Sequence, residues 1–491
     1  MNSSLHAPAL HPTPLAAAPA PARASAYALA VPRGARAALA RGWLGLGLLA
    51  LIGSGLFSVL LVLSRTPVVN RWLPVADFFR VALVVHVDLS VLVWFVALAG
   101  LLWSLNGSAR AIAWGWAALV LCAIGTALMS LAPFLNRAEP IMANYIPVLD
   151  GPLFLTGLLV FAGGATLLVL RSLLTAPKLG LAFDGEGALR FGLNAAAVSA
   201  AVALAAFAAS YAGLPASLAG KAYYEILFWG GGHALQFTWT LLMLVGWLWL
   251  ASACGARVPL SPRITLAMLA LALLAVFATP LAYLAYDIAS VEHRNVLTWA
   301  MRLGGGPAIV PIGLAVLVAL LRVPLAPRGG ADSAGAPLGR RASTAPLRAA
   351  LLASVLLFAS GGLIGVFITG SNVRIPAHYH GCIVGVTLAL MGLVFHLLPR
   401  LGYGTPQGRL ATWQPALYGA GQLMHIIGLV WSGGYGVQRK VAGAEQVLRG
   451  HGEIAGMALM GLGGAVAIAG GLLFVVVVVR ALRRTAEVAR P

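Results

Sequence analysis

Ala377-His378-Tyr379-His380 stands at the head of an apolar run from Ile375 to Pro399. Ionisable residues inside membrane-length segments are costly to desolvate and mark functional sites by default. The spacing gives this pair a task. At 3.6 residues per turn, positions i and i+2 lie about 200° apart. The two imidazoles therefore point to opposite sides of one helix. A helix with a histidine on each side holds two separate metal centres and passes electrons between them. The plainer alternative is two histidines satisfied by neighbouring backbone carbonyls.

The elements that position these residues are membrane helices. Of 491 residues, 60% are hydrophobic and 9% charged, with a mean hydropathy of +0.92, the composition of an integral membrane protein. Twelve apolar segments predict an all-α bundle of twelve transmembrane helices, near 42–64, 79–105, 111–133, 151–174, 190–214, 222–252, 263–291, 305–322, 347–370, 374–398, 412–435 and 452–479. An Ala/Pro-rich leader over 1–38 reads as disordered, the helical domain as 39–485 with a flexible loop at 323–346, and 486–491 as a tail. No internal repeat supports a transporter. The net charge of +19 does not point to nucleic acid, because the basic residues lie between apolar runs as topology determinants. Most of the 32 Lys and Arg residues fall on the side holding the leader and tail, which places both termini in the cytoplasm. Cys122, Cys254 and Cys382 form no disulfide or metal-type spacing.

That topology sets the histidines on one level. His86 lies in helix two, His233 in helix six, His293 just past helix seven, and His378 and His380 in helix ten. All five fall in the outer half of the membrane. Core histidines with no common task would scatter over both halves, so one level implies a shared cofactor layer.

The helix count, the helix-two histidine, the helix-six Gly232-His233 and the helix-ten Ala377-His378-Tyr379-His380 together resemble subunit I of the haem–copper oxidase superfamily, which comprises respiratory dioxygen reductases and nitric oxide reductases. The resemblance runs from about residue 42 to the end. It implies two haems: a low-spin haem between His86 and His380, and a high-spin haem on His378. It also implies a second metal held by His233. Arg439 and Lys440 resemble the basic pair that binds haem propionates in that family, with an ordinary pair of loop charges as the alternative.

Departures from the family pattern narrow the chemistry. The family binds its second metal with three histidines, two of them adjacent after helix seven, where this chain reads Val291-Glu292-His293-Arg294. A guanidinium does not ligate a metal and a carboxylate does, so the expected set is His233, His293 and Glu292. Two imidazoles and a carboxylate suit non-haem iron better than copper. Phe237 stands where many dioxygen reductases carry a tyrosine linked to the helix-six histidine. Tyr286, six residues before Glu292, matches the helix-seven tyrosine of another subgroup, with an aromatic-belt position as the alternative. The inner halves of helices six and eight carry almost nothing to relay a proton. Glu225, Asp287, Glu292 and Glu453 cluster on the outer half instead. His425 and His451 read as structural.

The resemblance and these departures lead to one expectation. The chain is a respiratory terminal reductase subunit of a bacterial inner membrane that reduces nitric oxide to nitrous oxide, with Glu292 and Tyr286 at its catalytic centre. Dioxygen reduction and a haem-carrying scaffold without catalysis are the alternatives. No Cys-x-x-Cys-His haem attachment motif is present. Electrons are therefore expected from an outer-face donor, a cytochrome c or a partner subunit, with membrane lipid as the remaining partner.

Overall fold

Each apolar segment forms a helix for the reason that governs any chain in lipid: its backbone groups have no water to bond and must bond one another. The computed structural model describes residues 26–65, 78–177, 183–323, 344–439 and 448–484. Lys440, the start of the leader, most of the 323–346 loop and the tail lie outside the described residues. Among the described residues, eleven stretches are long and apolar enough to cross a membrane.

The first half contains α1 (Ala35–Arg65), α2 (Phe78–Val87), α3 (Trp94–Asn106), α4 (Ile112–Leu135), α5 (Pro152–Leu174), α6 (Gly185–Gly213) and α7 (Gly220–Ala253). The second contains α8 (Pro262–Val276), α9 (Ala278–Ala285), α10 (Val291–Gly304), α11 (Gly306–Arg322), α12 (Ala345–Val366), α13 (Arg374–Leu397), α14 (Arg409–Gly434) and α15 (His451–Leu482). Three pairs act as single spans: α2 with α3, α8 with α9, and α10 with α11. Arg409, Gln414, Gln422 and His425 dilute the apolar content of α14, yet it packs along α15 and completes twelve members.

Three features depart from uniform helices. Between α2 and α3 the chain runs as a π-helix over Asp88–Val93, a form that recurs at functional sites. Helix seven breaks at Phe277, because Pro280 has no amide to return to Val276. The stretch 291–304, expected as a connection, is the amphipathic helix α10; Ser290 caps it by accepting from the His293 amide at 3.1 Å. His293 thus opens the eighth span rather than trailing the seventh.

On the outer side, between α4 and α5, β1 (Glu139–Ile141) and β2 (Val148–Asp150) pair antiparallel, with Pro140 opposite Leu149. Their connection folds Tyr145 back over α7. On the opposite side, residues expected as part of the leader are tied down. Tyr27 is fully buried; its hydroxyl donates to the Leu260 carbonyl at 3.0 Å and lies 2.7 Å from the Thr265 hydroxyl. The inner half is the dry core: Leu241–Ala251 of α7 and Thr387–Leu397 of α13 are buried without exception.

Candidate functional site

His86 and His378 are held in the same way. The Nδ1–H of His86 donates to the Ser54 carbonyl at 3.0 Å, with the hydroxyls of Ser54 and Ser58 each at 2.9 Å. The Nδ1–H of His378 donates to the Gly361 carbonyl at 2.8 Å. A carbonyl partner fixes the proton on Nδ1 and leaves the Nε2 lone pair free, the arrangement that orients histidine as a metal ligand. Both rings are half-buried. Position 365 must be glycine for this, since a Cβ there would lie 2.7 Å from His378 Nδ1.

His380 points away from His378, into contact with α14. Its ring centroid lies 4.6 Å from that of His425, whose Nδ1–H donates to the Met460 carbonyl at 3.0 Å. His380 also bonds the Gln422 side chain and is in electrostatic contact with His86. His86 is near enough to His380 to act on it electrostatically, and His425 packs against the His380 ring. An imidazole pair with a free lone pair on His86, and His378 on the far face of α13, fits two haems.

The outer end of α13 gathers cations. Arg439 donates from Nε to Ser371 Oγ at 3.3 Å and bonds Tyr379. Arg374, four residues before His378 and so on its face of the helix, holds a buried Nε with no partner. Reading the sequence overlooked Arg374; its distance of four residues from a ligand histidine was the available signal.

The second cluster gathers around α7. His233 is 2% exposed, and its Nδ1–H donates to the Trp229 carbonyl at 2.8 Å. The Tyr145 hydroxyl lies 3.1 Å from Nε2 and 3.0 Å from Nδ1. Equal distances to both nitrogens place the Tyr145 hydroxyl over the face of the imidazole rather than on the in-plane lone pair of Nε2. Burial pushes the Tyr145 hydroxyl well above its usual range, and Tyr379 and Glu225 act in the same sense. It stays a neutral donor. Tyr145 has a left-handed backbone, φ 70°, and its ring fills the space over Gly232 that any side chain would occupy.

His293 is 2% exposed, and neither ring nitrogen has a partner. It is in electrostatic contact with His233 and stands edge-on to Tyr283 with centroids 4.6 Å apart. Tyr283 bonds Ser210 at 2.6 Å. Glu292, one position and about 100° around the helix from His293, is exposed. Tyr286, 42% exposed, ends α9 on the outside. Among the described residues, no three His, Cys, Asp or Glu side chains converge as a metal site. The structure thus brings His233 and His293 together without Glu292, and Tyr283 rather than Tyr286 faces them. Two imidazoles do not alone make a metal centre.

Phe237 packs one turn further in, against Gly304. Of the outer acids, Glu225 accepts from Asn144 Nδ2 at 2.7 Å beside Tyr145, and Glu453 caps α15. Asp88, two residues after His86 in the π-helix, is 1% exposed and neither carboxyl oxygen has a partner. Only its place in a membrane span distinguished it in the sequence.

No model of a known protein family matches the chain. It is 30% identical, over an alignment of 499 residues, to a protein of Rickettsia prowazekii (strain Madrid E) named uncharacterized protein RP382, covering 89% of this chain and 94% of the relative. A second relative, an uncharacterized protein of Aquifex aeolicus (strain VF5), is 27% identical over 377 residues, 76% of this chain and 88% of its own length. Among solved structures, a haem–copper terminal oxidase dimer determined by cryo-electron microscopy superposes with a TM-score of 0.68 at 14% identity. The match covers 94% of this chain and 85% of that one.

Proposed function

We propose that this chain, which belongs to the family of the Rickettsia prowazekii protein and has the fold of haem–copper oxidase subunit I, is a two-haem respiratory reductase whose substrate is nitric oxide. One observation carries the haem assignment: His86 and His378 each donate Nδ1–H to a backbone carbonyl and keep Nε2 open. His86 and His380 would hold the low-spin haem and His378 the high-spin haem. Arg374 and Arg439 would hold carboxylates at the outer surface. Haem iron there supplies reversible one-electron chemistry. The residues of the chain do the remaining work. The i, i+2 placement of His378 and His380 carries electrons across the thickness of α13, from an outer-face donor toward the substrate side.

His233, His293, Tyr145 and Tyr283 line that substrate side. Coupling two nitric oxide molecules to nitrous oxide and water consumes two electrons and two protons. Glu225 and Asn144, on the outer face beside Tyr145, support protons entering from outside. The inner half, where α7 and α13 bury apolar side chains apart from Thr387 and His396, offers no comparable polar line. A non-haem metal, iron rather than copper, would take His233 and His293 as two of its ligands and need further donors from water or substrate.

Dioxygen reduction is the second reading, and the Tyr145 contact favours it, since a phenol beside His233 can give an electron and a proton. Metal analysis with nitric oxide and dioxygen turnover on one preparation of the full chain decides between them. Two haems, non-haem iron and nitric oxide consumption are the expected result. Copper with dioxygen consumption would establish the second reading. Low-spin haem alone, without turnover, would leave an electron-carrying scaffold.

A further inference from the structure

On the side opposite the histidines, the start of α14 and the end of α15 border an open cavity of about 270 Å³. A water claims about 30 Å³ of liquid volume, so the cavity admits a headgroup rather than one small ion. Arg409, Arg480 and Arg484 line it, with Gln407, Leu410 and Val477. Arginines nearby have partners: Arg400 donates to the His396 carbonyl at 2.7 Å and Arg41 to the Leu401 carbonyl at 3.1 Å. Among the described residues, the side chains of Arg409, Arg480 and Arg484 have neither hydrogen bond nor ion pair.

The backbone adds to the positive field. Gly408 gives α14 no side-chain cap. Thr412 makes the first amide bond back, to the Gly408 carbonyl at 3.2 Å, so the amides of Arg409, Leu410 and Ala411 have no intrahelical acceptor. At α15 the opposing negative end is muted, because Gly404 donates to the Ala481 and Arg484 carbonyls at 3.0 and 2.8 Å. Three guanidiniums and a helix start thus border one cleft, a setting that favours an anion.

The surroundings identify which anion. Leu410 is 44% exposed and Trp413, one turn into the membrane, is 66% exposed. Trp and Arg at this level mark a membrane interface, and the apolar flank of α14 runs from the cavity mouth toward the hydrocarbon. We propose that this cavity binds the phosphodiester headgroup of an anionic phospholipid in the cytoplasmic leaflet, with an acyl chain along Leu410 and Trp413. This site is independent of the redox centre.

Native mass spectrometry of the purified full chain, titrated with phosphatidylglycerol, phosphatidylcholine or inorganic phosphate, tests it. Two cations near a membrane surface are worth about thirtyfold in affinity. The Arg480→Gln/Arg484→Gln variant should bind phosphatidylglycerol about thirtyfold more weakly, Arg409→Gln should also weaken it, and phosphatidylcholine should bind poorly throughout. All three side chains are exposed, so unchanged helicity by circular dichroism is expected. Equal phosphatidylglycerol affinity in parent and variants would overturn the proposal. Displacement of the lipid by inorganic phosphate at equal concentration would also overturn it, by assigning the cavity to a soluble anion.

Discussion

The His233 Nδ1–H is committed to the Trp229 carbonyl, and the Tyr145 hydroxyl lies over the ring at equal distances from both nitrogens, so it covers one face of the imidazole and leaves the Nε2 lone pair open. Tyr145→Phe should therefore change Fe(II) affinity by less than about threefold in calorimetric titration of the haem-free protein; a large loss would make the phenol itself a ligand. Glu292 and His293 separate in the same way. His293→Ala, which removes a buried imidazole with both nitrogens open, should abolish non-haem metal by elemental analysis. Glu292→Gln, at an exposed position, should leave the metal in place, and equal loss in both would give Glu292 the ligand role expected from sequence. Tyr145 was invisible in the sequence because it reaches His233 from 88 residues away through a left-handed turn. The glycine at 232 that receives its ring was the one trace, and a helix-six Gly-His points to the histidine alone.

Helices set how accurately these side chains are held, and α12 against α13 is the clearest case. The two approach backbone to backbone at Gly361 and Gly381, which sets the Gly361 carbonyl within reach of His378 Nδ1. Gly365→Ala places a methyl 2.7 Å from that nitrogen and must turn the ring. On the proposed two-haem assignment, haem stoichiometry by pyridine haemochrome should fall from two toward one, with the low-spin spectrum unchanged. Loss of both spectra would mean that the close approach supports the bundle rather than one ligand. The His378–His380 face reversal was legible because it needs only helical period. The phase of Tyr286 was not. The helix ends at Ala285 and Tyr286 is extended, so Tyr283 faces His293 while Tyr286 lies in the open. The 291–304 stretch was hidden for a related reason: Glu292, Arg294, Asn295 and Arg302 lower its hydropathy, while His293 and Leu297 alone supply its buried stripe.

Across the whole molecule, the histidines gather by depth. His86, His233, His293, His378 and His380 lie in the outer half, beside open polar atoms on His293, Asp88 and Arg374. The inner stretches of α7 and α13 bury mostly hydrocarbon side chains, and open polar atoms on that side lie toward the inner ends of their helices, on Trp43, Arg171 and Gln414. A buried polar group without a partner costs about 1–3 kcal/mol, so the outer half is the weaker end until ligands satisfy it. Any group that binds only the folded state stabilises it by mass action. Haem-free protein, prepared from a haem-deficient host, should therefore open from the outside. Amide exchange should accelerate in α2, in α10 and in the first two turns of α13, while Leu241–Ala251 stays as protected as in the haem-loaded protein. The same split explains why twelve helices could be counted from hydropathy and their outer contacts could not: apolar burial follows composition, whereas the outer half is specified by single polar contacts between distant segments. Exchange that rises evenly along α7 and α13 would show instead that the bundle is held together through its haems at every depth, and the dry inner half could not then serve as an independent scaffold.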